Sequence, residues 1–268
     1  MMINTSISDR RSYPIGRQRL STVLQDANEV IETDDVVKTL SVTRIEASKL
    51  LSRWTGQGWL RRVGRGTYVA VPLGLLGSRY VLDDHWVLVP SLYGSSYIGG
   101  WTAAEYWDLT EQLFNDTVVM TSIPVRQKQQ IRHGARFLVF HTHQRKVFGT
   151  KTVWRGCTRV PLSDIHRTII DMLDNPKLGG GIQHVSDCLG EYLKKPERSD
   201  ESLKEYAKRI GNGAVLKRLG FLMERLSGPS KLSKWCQERM TTGNARIDSA
   251  LNCTRLVTKW RLWVPPNW

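Results

Sequence analysis

Three arginines stand close together in "LRRVGRGTYV", residues 60–69. Arg61, Arg62 and Arg65 lie between two short runs rich in aromatic and β-branched residues, which are typical of strands. The glycines on either side of Arg65 favour a tight reversal between those strands. Cations at the tip of such a hairpin can hold the phosphates of a nucleic acid. The stretch therefore predicts a β-hairpin that contacts a polyanion, although a basic hairpin can also be only a solvated surface.

Other groups of polar residues have simpler interpretations than chemistry. His141 and His143 alternate on a predicted strand with the spacing of metal ligands, but no carboxylate or Cys is close to them in the sequence. One predicted helix carries four residues that could indicate acid–base catalysis: Asp164, His166, Arg167 and Asp171. The i,i+4 spacing of Arg167 and Asp171 fits an ion pair between neighbouring helical turns. We therefore predict no catalytic residues, no metal site and no cofactor.

The overall charge points to a nucleic-acid partner. The 268 residues include 39 Lys and Arg against 25 Asp and Glu, a formal net charge of +14, and such an excess favours a polyanion. No apolar run approaches the roughly 20 residues that span a bilayer, and the N-terminus lacks the apolar core of a signal peptide. We expect a cytoplasmic protein with no membrane partner. The four cysteines are widely spaced, which favours reduced and mostly buried thiols.

Helical patterns precede the arginine hairpin. Residues 17–33, "RQRLSTVLQDANEVIET", predict an amphipathic helix, and residues 34–40, "DDVVKTL", a shorter one with Asp34 or Asp35 as a possible cap. Residues 44–58, "RIEASKLLSRWTGQG", predict a third helix. Its apolar stripe consists of Ala47, Leu50, Leu51 and Trp54. Three helices followed by a hairpin are the order of a winged helix-turn-helix, which we assign to residues 1–78 together with an N-terminal arm.

In a winged helix the third helix enters the major groove, and the hairpin, the wing, lies along the phosphates or in the adjacent minor groove. Arg44, Ser48 and Ser52 fall about one turn apart on the outward side of the third helix, beside Lys49. Thr43 is equally suited to be an N-cap or a base contact. The predicted DNA-binding residues are Thr43, Arg44, Ser48, Lys49, Arg53, Arg61, Arg62 and Arg65. A winged helix that contacts only other proteins remains the alternative.

Residues 79–268 predict a larger α/β domain with an appended helical bundle. The predicted strands are "HWVLVPSL", "DTVVMTS", "ARFLVFHTH", "TKTVWRGCTRV" and, near the end of the chain, "VTKWRLWVP". Helices are predicted for "YIGGWTAAEYWDLTEQL" and for most of the chain from "SDIHRTIIDML" to "GAVLKRLGFLMERL". Between Lys194 and Arg218 eight cations face four acids. This basic region is either a solvated helical surface or a second binding surface for nucleic acid or an acidic partner.

Four blocks of the sequence, in this order, resemble the AbiEi family of antitoxins and transcriptional regulators from type IV abortive-infection toxin–antitoxin systems. They are "GWLRRVGRGTYV", "YIGGWTAAEYWDLTEQL", "HRTIIDMLDNPKLGGGI" and "YAKRIGNGAVLKRLGFLMERL". The resemblance implies a winged helix that binds double-stranded operator DNA of its own operon and a C-terminal domain that provides antitoxicity. It implies a nucleotidyltransferase-like toxin as a functional partner that is not tightly bound.

The family offers no agreed catalytic residues, so we predict that the chain is not an enzyme. We expect a monomer or a weak dimer on DNA. Two other classes stay open at this point: a partner- or RNA-binding module without sequence-specific DNA contacts, and a nucleic-acid-processing enzyme.

Overall fold

The computed structural model describes residues 14–27, 30–71 and 84–268. The chain divides into two compact units: the described residues up to 71 lie in the first, and residues 84–155 and 159–268 lie in the second. The boundary predicted near residue 78 lies outside the described residues, as does most of the N-terminal arm.

The first unit consists of three helices and a three-stranded antiparallel sheet. Its elements are α1 (Ile15–Asp26), β1 (Val30–Glu32), α2 (Thr33–Leu40), α3 (Arg44–Gly56), β2 (Leu60–Gly64) and β3 (Thr67–Ala70). The strand order is β1-β3-β2, so that β2 and β3 form a hairpin whose inner strand also pairs with β1. This arrangement is the winged helix-turn-helix that the sequence predicts.

The first predicted helix is too long. It ends at Asp26 instead of continuing to residue 33, and Val30 and Ile31 belong to β1, where they pair with Val69 and Tyr68 of β3. Both residues are β-branched, and in this position they fit a pleated sheet better than a helix. The helical spacing of apolar residues continues from α1 into β1 only by coincidence, since Val30 and Ile31 stand at helical intervals from the apolar residues of α1.

The two helices of the helix-turn-helix begin at reciprocal caps. Glu32 is the N-cap of α2, and its backbone N–H donates to the Asp35 carboxylate over 2.7 Å. The predicted capping residues Asp34 and Asp35 therefore lie inside the first turn, where their negative charge still favours the positive end of the helix. Thr43 is the N-cap of α3, paired with Glu46 in a capping box.

The core of the first unit is closed by the predicted stripe of α3. Ala47, Leu50, Leu51 and Trp54 are all buried, and they pack with residues of α1, α2 and the sheet, Val23, Val36 and Ile31 among them. Full burial of a leucine side chain such as Leu51 contributes about 1.5–3 kcal/mol to the free energy of unfolding. Because one side of α3 is committed to this core, its opposite side must face solvent or a ligand.

The second unit is a mixed sheet with helices, followed by a helical bundle. Its first part contains α4 (Val89–Tyr93), β4 (Ser96–Ile98), α5 (Gly100–Tyr106), β5 (Asp116–Thr121), β6 (Gln129–Arg132), β7 (Ala135–His141), β8 (Thr150–Arg155) and β9 (Thr158–Ser163). Its second part contains α6 (Ile165–Asp174), α7 (Ile182–Lys194), α8 (Asp200–Ile210), α9 (Gly213–Ser227), α10 (Lys231–Arg239), β10 (Ala245–Arg246), β11 (Arg255–Val257) and β12 (Leu262–Val264). The main sheet has the strand order β6-β7-β5-β4-β9-β8. The predicted fold class, a winged helix followed by an α/β domain with a helical bundle, is confirmed.

Three of the predicted strands differ from the structure. "TKTVWRGCTRV" forms two strands, β8 and β9, instead of one. "HWVLVPSL" forms a 3₁₀ turn at His85–Leu88 and then α4, with Pro90 in the first turn of that helix, where the missing N–H of proline costs no hydrogen bond. The returning strand "VTKWRLWVP" is broken by a 3₁₀ turn at Thr258–Trp260, and β11 pairs antiparallel with β12. The segment folds back on itself instead of joining the main sheet.

All four cysteines are free, and three of them are buried. Within the described residues, no helix is both long enough and apolar enough to cross a membrane.

Candidate nucleic-acid interface

The exposed side of α3 carries most of the predicted DNA-binding residues. Arg44, Ser48, Lys49 and Arg53 are all exposed, as is Ser52. At 3.6 residues per turn, Ser48, Ser52 and Lys49 lie opposite the buried stripe, and Arg44 and Arg53 lie at the two edges of this outer face. The result is a helix with an apolar inner face and an outer face of cations and small hydroxyls.

A groove separates the outer face of α3 from the wing. It has a volume of about 780 Å³ and is open to solvent. Its lining comes from α2, α3 and both wing strands: Thr33, Arg44, Ser48, Ser52, Thr55, Arg62, Arg65, Gly66 and Tyr68. The structure thus brings the helix residues Arg44 and Ser48 together with two of the three wing arginines.

The tip of the wing is held in place by the start of α2. The backbone N–H and the hydroxyl of Thr33 both donate to the Gly66 carbonyl, over 2.9 and 3.1 Å. Gly66 has a φ of +77°, and a Cβ there would lie 3.1 Å from the Thr33 hydroxyl oxygen. Only glycine fits this position without strain. The contact holds the wing tip against the start of α2.

The third wing arginine lies elsewhere. Arg61 is opposite Val69 in the hairpin and Arg62 is opposite Tyr68, and successive residues of a strand point to opposite faces. Arg61 is half-buried and does not line the groove, whereas Arg62 is exposed and its Nε donates to the Gly64 carbonyl over 3.0 Å. The three arginines therefore present cations on both faces of the wing.

Arg44 has a partner that the sequence did not reveal. Its Nη1 lies 2.6 Å from the Asp34 carboxylate of α2, and both side chains are about 70% exposed, at 72% and 68%. An ion pair this exposed contributes only about 0–1 kcal/mol to stability, so it does not prevent Arg44 from binding another group. The ion pair directs the Arg44 guanidinium toward α2 at the N-terminus of α3.

The hydroxyl of Thr43 is already engaged. It donates to the Glu46 carboxylate over 2.9 Å and accepts from the Glu46 backbone N–H over 3.3 Å. Hydrogen bonds from the Thr43 backbone and hydroxyl lower the pKa of Glu46, so the acid of α3 stays ionised at the helix N-terminus. Of the two roles predicted for Thr43, the structure assigns the N-cap, and its contact with DNA stays a prediction.

Sequence reasoning also passed over Ile45. This side chain is 70% exposed, in the first turn of α3, between Arg44 and the capping residue Glu46. A shallow concavity of about 480 Å³ is lined by Ile45 and its helical neighbours Arg44, Ser48, Lys49 and Ser52. The available signal was its position: Ile45 lies off the buried stripe, so an isoleucine there is not needed for the core.

The basic region between Lys194 and Arg218 does not form a continuous free surface. Five of its cations lie within 4 Å of carboxylates: Lys194 with Glu191, Lys195 with Asp108, Arg198 with Asp200, Lys204 with Glu201 and Arg209 with Glu205. Two others are buried: Lys217 donates to Thr241 and the Gly243 carbonyl, and Arg218 donates to the carbonyls of Leu173 and Arg246. Lys217 and Arg218 are therefore used within the second unit, whereas exposed ion pairs such as Lys194 with Glu191 leave the cation able to bind another group.

The second unit brings its candidate chemical groups close together. The rings of His141 and His143 are 5.7 Å apart, and no group of three or more metal-ligating side chains occurs within the described parts of the chain. Arg167 and Asp171 form the predicted ion pair, with Nε and the carboxylate 2.8 Å apart, but both are buried. Together with Lys146 and Asp174 among others, all four of these residues line one pocket of about 200 Å³.

These features define the first unit as a winged helix with a basic outer face. Residues 18–71 match the model of a family described as transcriptional regulators and AbiEi antitoxins. The match confirms the AbiEi resemblance in the winged helix, and that family is one of regulators and not of enzymes.

A solved structure resembles the chain over most of its length. The crystal structure of the RV2827C protein from Mycobacterium tuberculosis matches with a TM-score of 0.62 over 93% of this chain and 91% of that one. The two sequences are 15% identical, so the similarity is one of fold. No curated protein matches the chain significantly.

Proposed function

We propose that the chain is a transcriptional autorepressor and the antitoxin of a type IV, AbiE-like toxin–antitoxin system. Its winged helix, within residues 1–78, binds double-stranded operator DNA of its own operon. The second unit, within residues 79–268, opposes a nucleotidyltransferase-like toxin without forming a tight complex. The protein acts in the cytoplasm, is not an enzyme, and binds DNA as a monomer or a weak dimer.

The observation that carries the proposal is the groove between α3 and the wing. Its two walls carry Arg44 on one side and Arg62 and Arg65 on the other. A strand of duplex DNA presents a row of phosphates next to base edges. The cations of the wing can bind those phosphates while Arg44 and the exposed face of α3 reach the major groove. The family match over residues 18–71 supports the same role.

Within this interface Arg44 reads bases and the wing arginines hold the backbone. Arg44 lies at the N-terminus of α3, where recognition helices contact base edges, and a guanidinium can donate two hydrogen bonds to a guanine. The wing arginines lie at and beside the hairpin tip, as expected for contacts with phosphates. Ser48, Lys49 and Arg53 supply further contacts along the helix.

The test is footprinting of the purified protein on the DNA upstream of its own gene. We expect a protected site that Arg44→Ala recognises poorly, with discrimination between operator and scrambled DNA reduced by about 1–3 kcal/mol. Arg239→Ala is the matched control, because Arg239 is an exposed arginine of α10 that pairs with Glu238 over 3.1 Å. It should bind as the unaltered protein does. Absence of protection upstream of the gene would contradict the proposal.

The antitoxin role is tested separately, in cells that express the toxin encoded beside this gene. A full-length chain with Arg44, Arg62 and Arg65 changed to Ala, produced from an inducible promoter, should lose DNA binding but still restore growth. Loss of rescue in this folded variant would show that antitoxicity depends on DNA binding, against the assignment of that role to the second unit.

A further inference from the structure

The first turn of α3 exposes an apolar side chain in the middle of a polar surface. Ile45 is 70% exposed and is not part of the core of the first unit. Exposure of one large apolar side chain is common and needs no explanation by itself. The position of Ile45 is informative because its neighbours are the residues that the proposed function places on DNA.

Helical geometry puts Ile45 near the centre of the outer face. With 3.6 residues per turn, Ser48, Lys49 and Ser52 lie on the same side as Ile45, one and two turns further along α3. Together with Arg44 they line the shallow concavity of about 480 Å³ on this face. The apolar group is therefore surrounded by two cations and two hydroxyls.

This surrounding charge determines what can cover Ile45. An apolar surface of another protein would have to bury the two cations as well, which is costly unless each is paired. Duplex DNA offers both kinds of partner at once, since phosphates bind the cations and the major groove contains one apolar group, the C5-methyl of thymine. Residues at the N-terminal end of a recognition helix are those that reach base edges.

We propose that Ile45 contacts the C5-methyl group of a thymine in the operator. The inference rests on the proposed function and adds one element of sequence preference to it. Ile45 distinguishes thymine from cytosine by an apolar contact, whereas Arg44, one residue earlier, distinguishes guanine by hydrogen bonds. The two adjacent residues thus read different bases by different chemistry.

The experiment replaces each thymine of the footprinted site, one at a time, by deoxyuridine. This change removes one methyl group and leaves base pairing intact. For the unaltered full-length protein we expect at least one thymine position at which the replacement weakens binding about fourfold, the effect of exposing one methyl-sized group. For Ile45→Ala the same operator should be bound equally well with thymine or deoxyuridine at that position.

Ile131→Ala is the matched control, since Ile131 of β6 is a similarly exposed isoleucine, at 72%, in the second unit. This variant should keep the full sensitivity to the missing methyl. Thermal unfolding of both variants should match that of the unaltered protein, because neither side chain belongs to a core.

The outcomes separate this inference from the proposed function. The protein could bind its operator specifically while Ile45→Ala keeps the methyl effect at every thymine that shows one. That result would overturn the inference and leave the proposed function intact. A loss of self-association in Ile45→Ala, measured by sedimentation, with unchanged sensitivity to deoxyuridine, would also overturn it and would identify a second copy of the chain as the occupant. No binding to the upstream DNA would overturn both.

Discussion

The buried ion pair of the second unit allows a prediction with a worked magnitude. Arg167 and Asp171 of α6 are only 1% and 3% exposed, and their Nε and carboxylate lie 2.8 Å apart. The Tyr97 hydroxyl donates to Asp171 over 2.9 Å and accepts from Arg167 over 3.0 Å. Burial opposes the charge on Arg167, but Asp171 and Tyr97 outweigh it and raise the pKa of the guanidinium. Because an arginine is ionised at every ordinary pH, Arg167 stays charged when its partner is removed.

The perturbation is Asp171→Ala. Because it leaves a buried cation without its counter-ion, we expect a loss of about 3–5 kcal/mol in the free energy of unfolding of the second unit. Glu191→Ala is the control, since Glu191 forms an exposed i,i+3 pair with Lys194 over 2.7 Å. Breaking an exposed pair should cost at most about 1 kcal/mol. The double change Arg167→Met with Asp171→Leu should cost less than Asp171→Ala alone, because no charge is left buried.

Native-state hydrogen exchange of the α6 amides is a suitable assay, because it reports the opening free energy of this unit in the full-length chain. A urea titration followed by circular dichroism gives an independent value. If Asp171→Ala lowered the opening free energy no more than Glu191→Ala, the cluster would have to be accessible to water, and the reasoning from burial would be wrong.

Three further predictions concern the interface and the response to pH. Replacing all three wing arginines by Ala should flatten the dependence of log K on log salt by about 0.9 for each phosphate that is no longer neutralised, and an unchanged slope would place the wing away from DNA. Asp34→Ala should strengthen binding to operator and to scrambled DNA, because it removes a negative charge. It should also reduce discrimination between the two DNAs by up to about 1 kcal/mol, because it frees the Arg44 guanidinium. If the binding free energy changed equally for both DNAs, Asp34 would not position Arg44. Burial lowers the pKa of His166, whose Nδ1 lies 2.8 Å from the Tyr192 hydroxyl. Folding favours the neutral form of His166, so the unfolding free energy of the second unit should decline as pH falls below about 6.5. His166→Gln should flatten that decline. If the slope were the same in this variant, other titrating groups would cause the decline.

Elements with a strong, unambiguous period were predictable from the sequence. The stripe of Ala47, Leu50, Leu51 and Trp54 predicts α3 and its buried face correctly, because no strand could place all four on one side. The short strand β1 was not predictable in this way. Val30 and Ile31 continue a helical spacing by chance, and only their pairing with the distant strand β3 decides their conformation.

The same distinction explains the candidate site. The types of its residues were visible in the sequence, but the groove depends on distances between segments. Thr33 and Gly66 are 33 positions apart, and their hydrogen bonds hold the wing tip against the start of α2. The pairing of Arg44 with Asp34 and the different faces of Arg61 and Arg62 follow from that tertiary arrangement and from strand register.

Ile45 could have been found from the sequence by a negative argument. Once four residues of α3 are assigned to the core, helical geometry fixes which positions face outward, and an outward position next to Arg44 is one where a soluble helix gains nothing from an isoleucine. Its exposure in the folded unit removes the remaining structural explanation, because the side chain makes no contribution to the core. The position of Ile45, in the first turn of the helix that a winged helix directs at base edges, fits the apolar contact proposed for it.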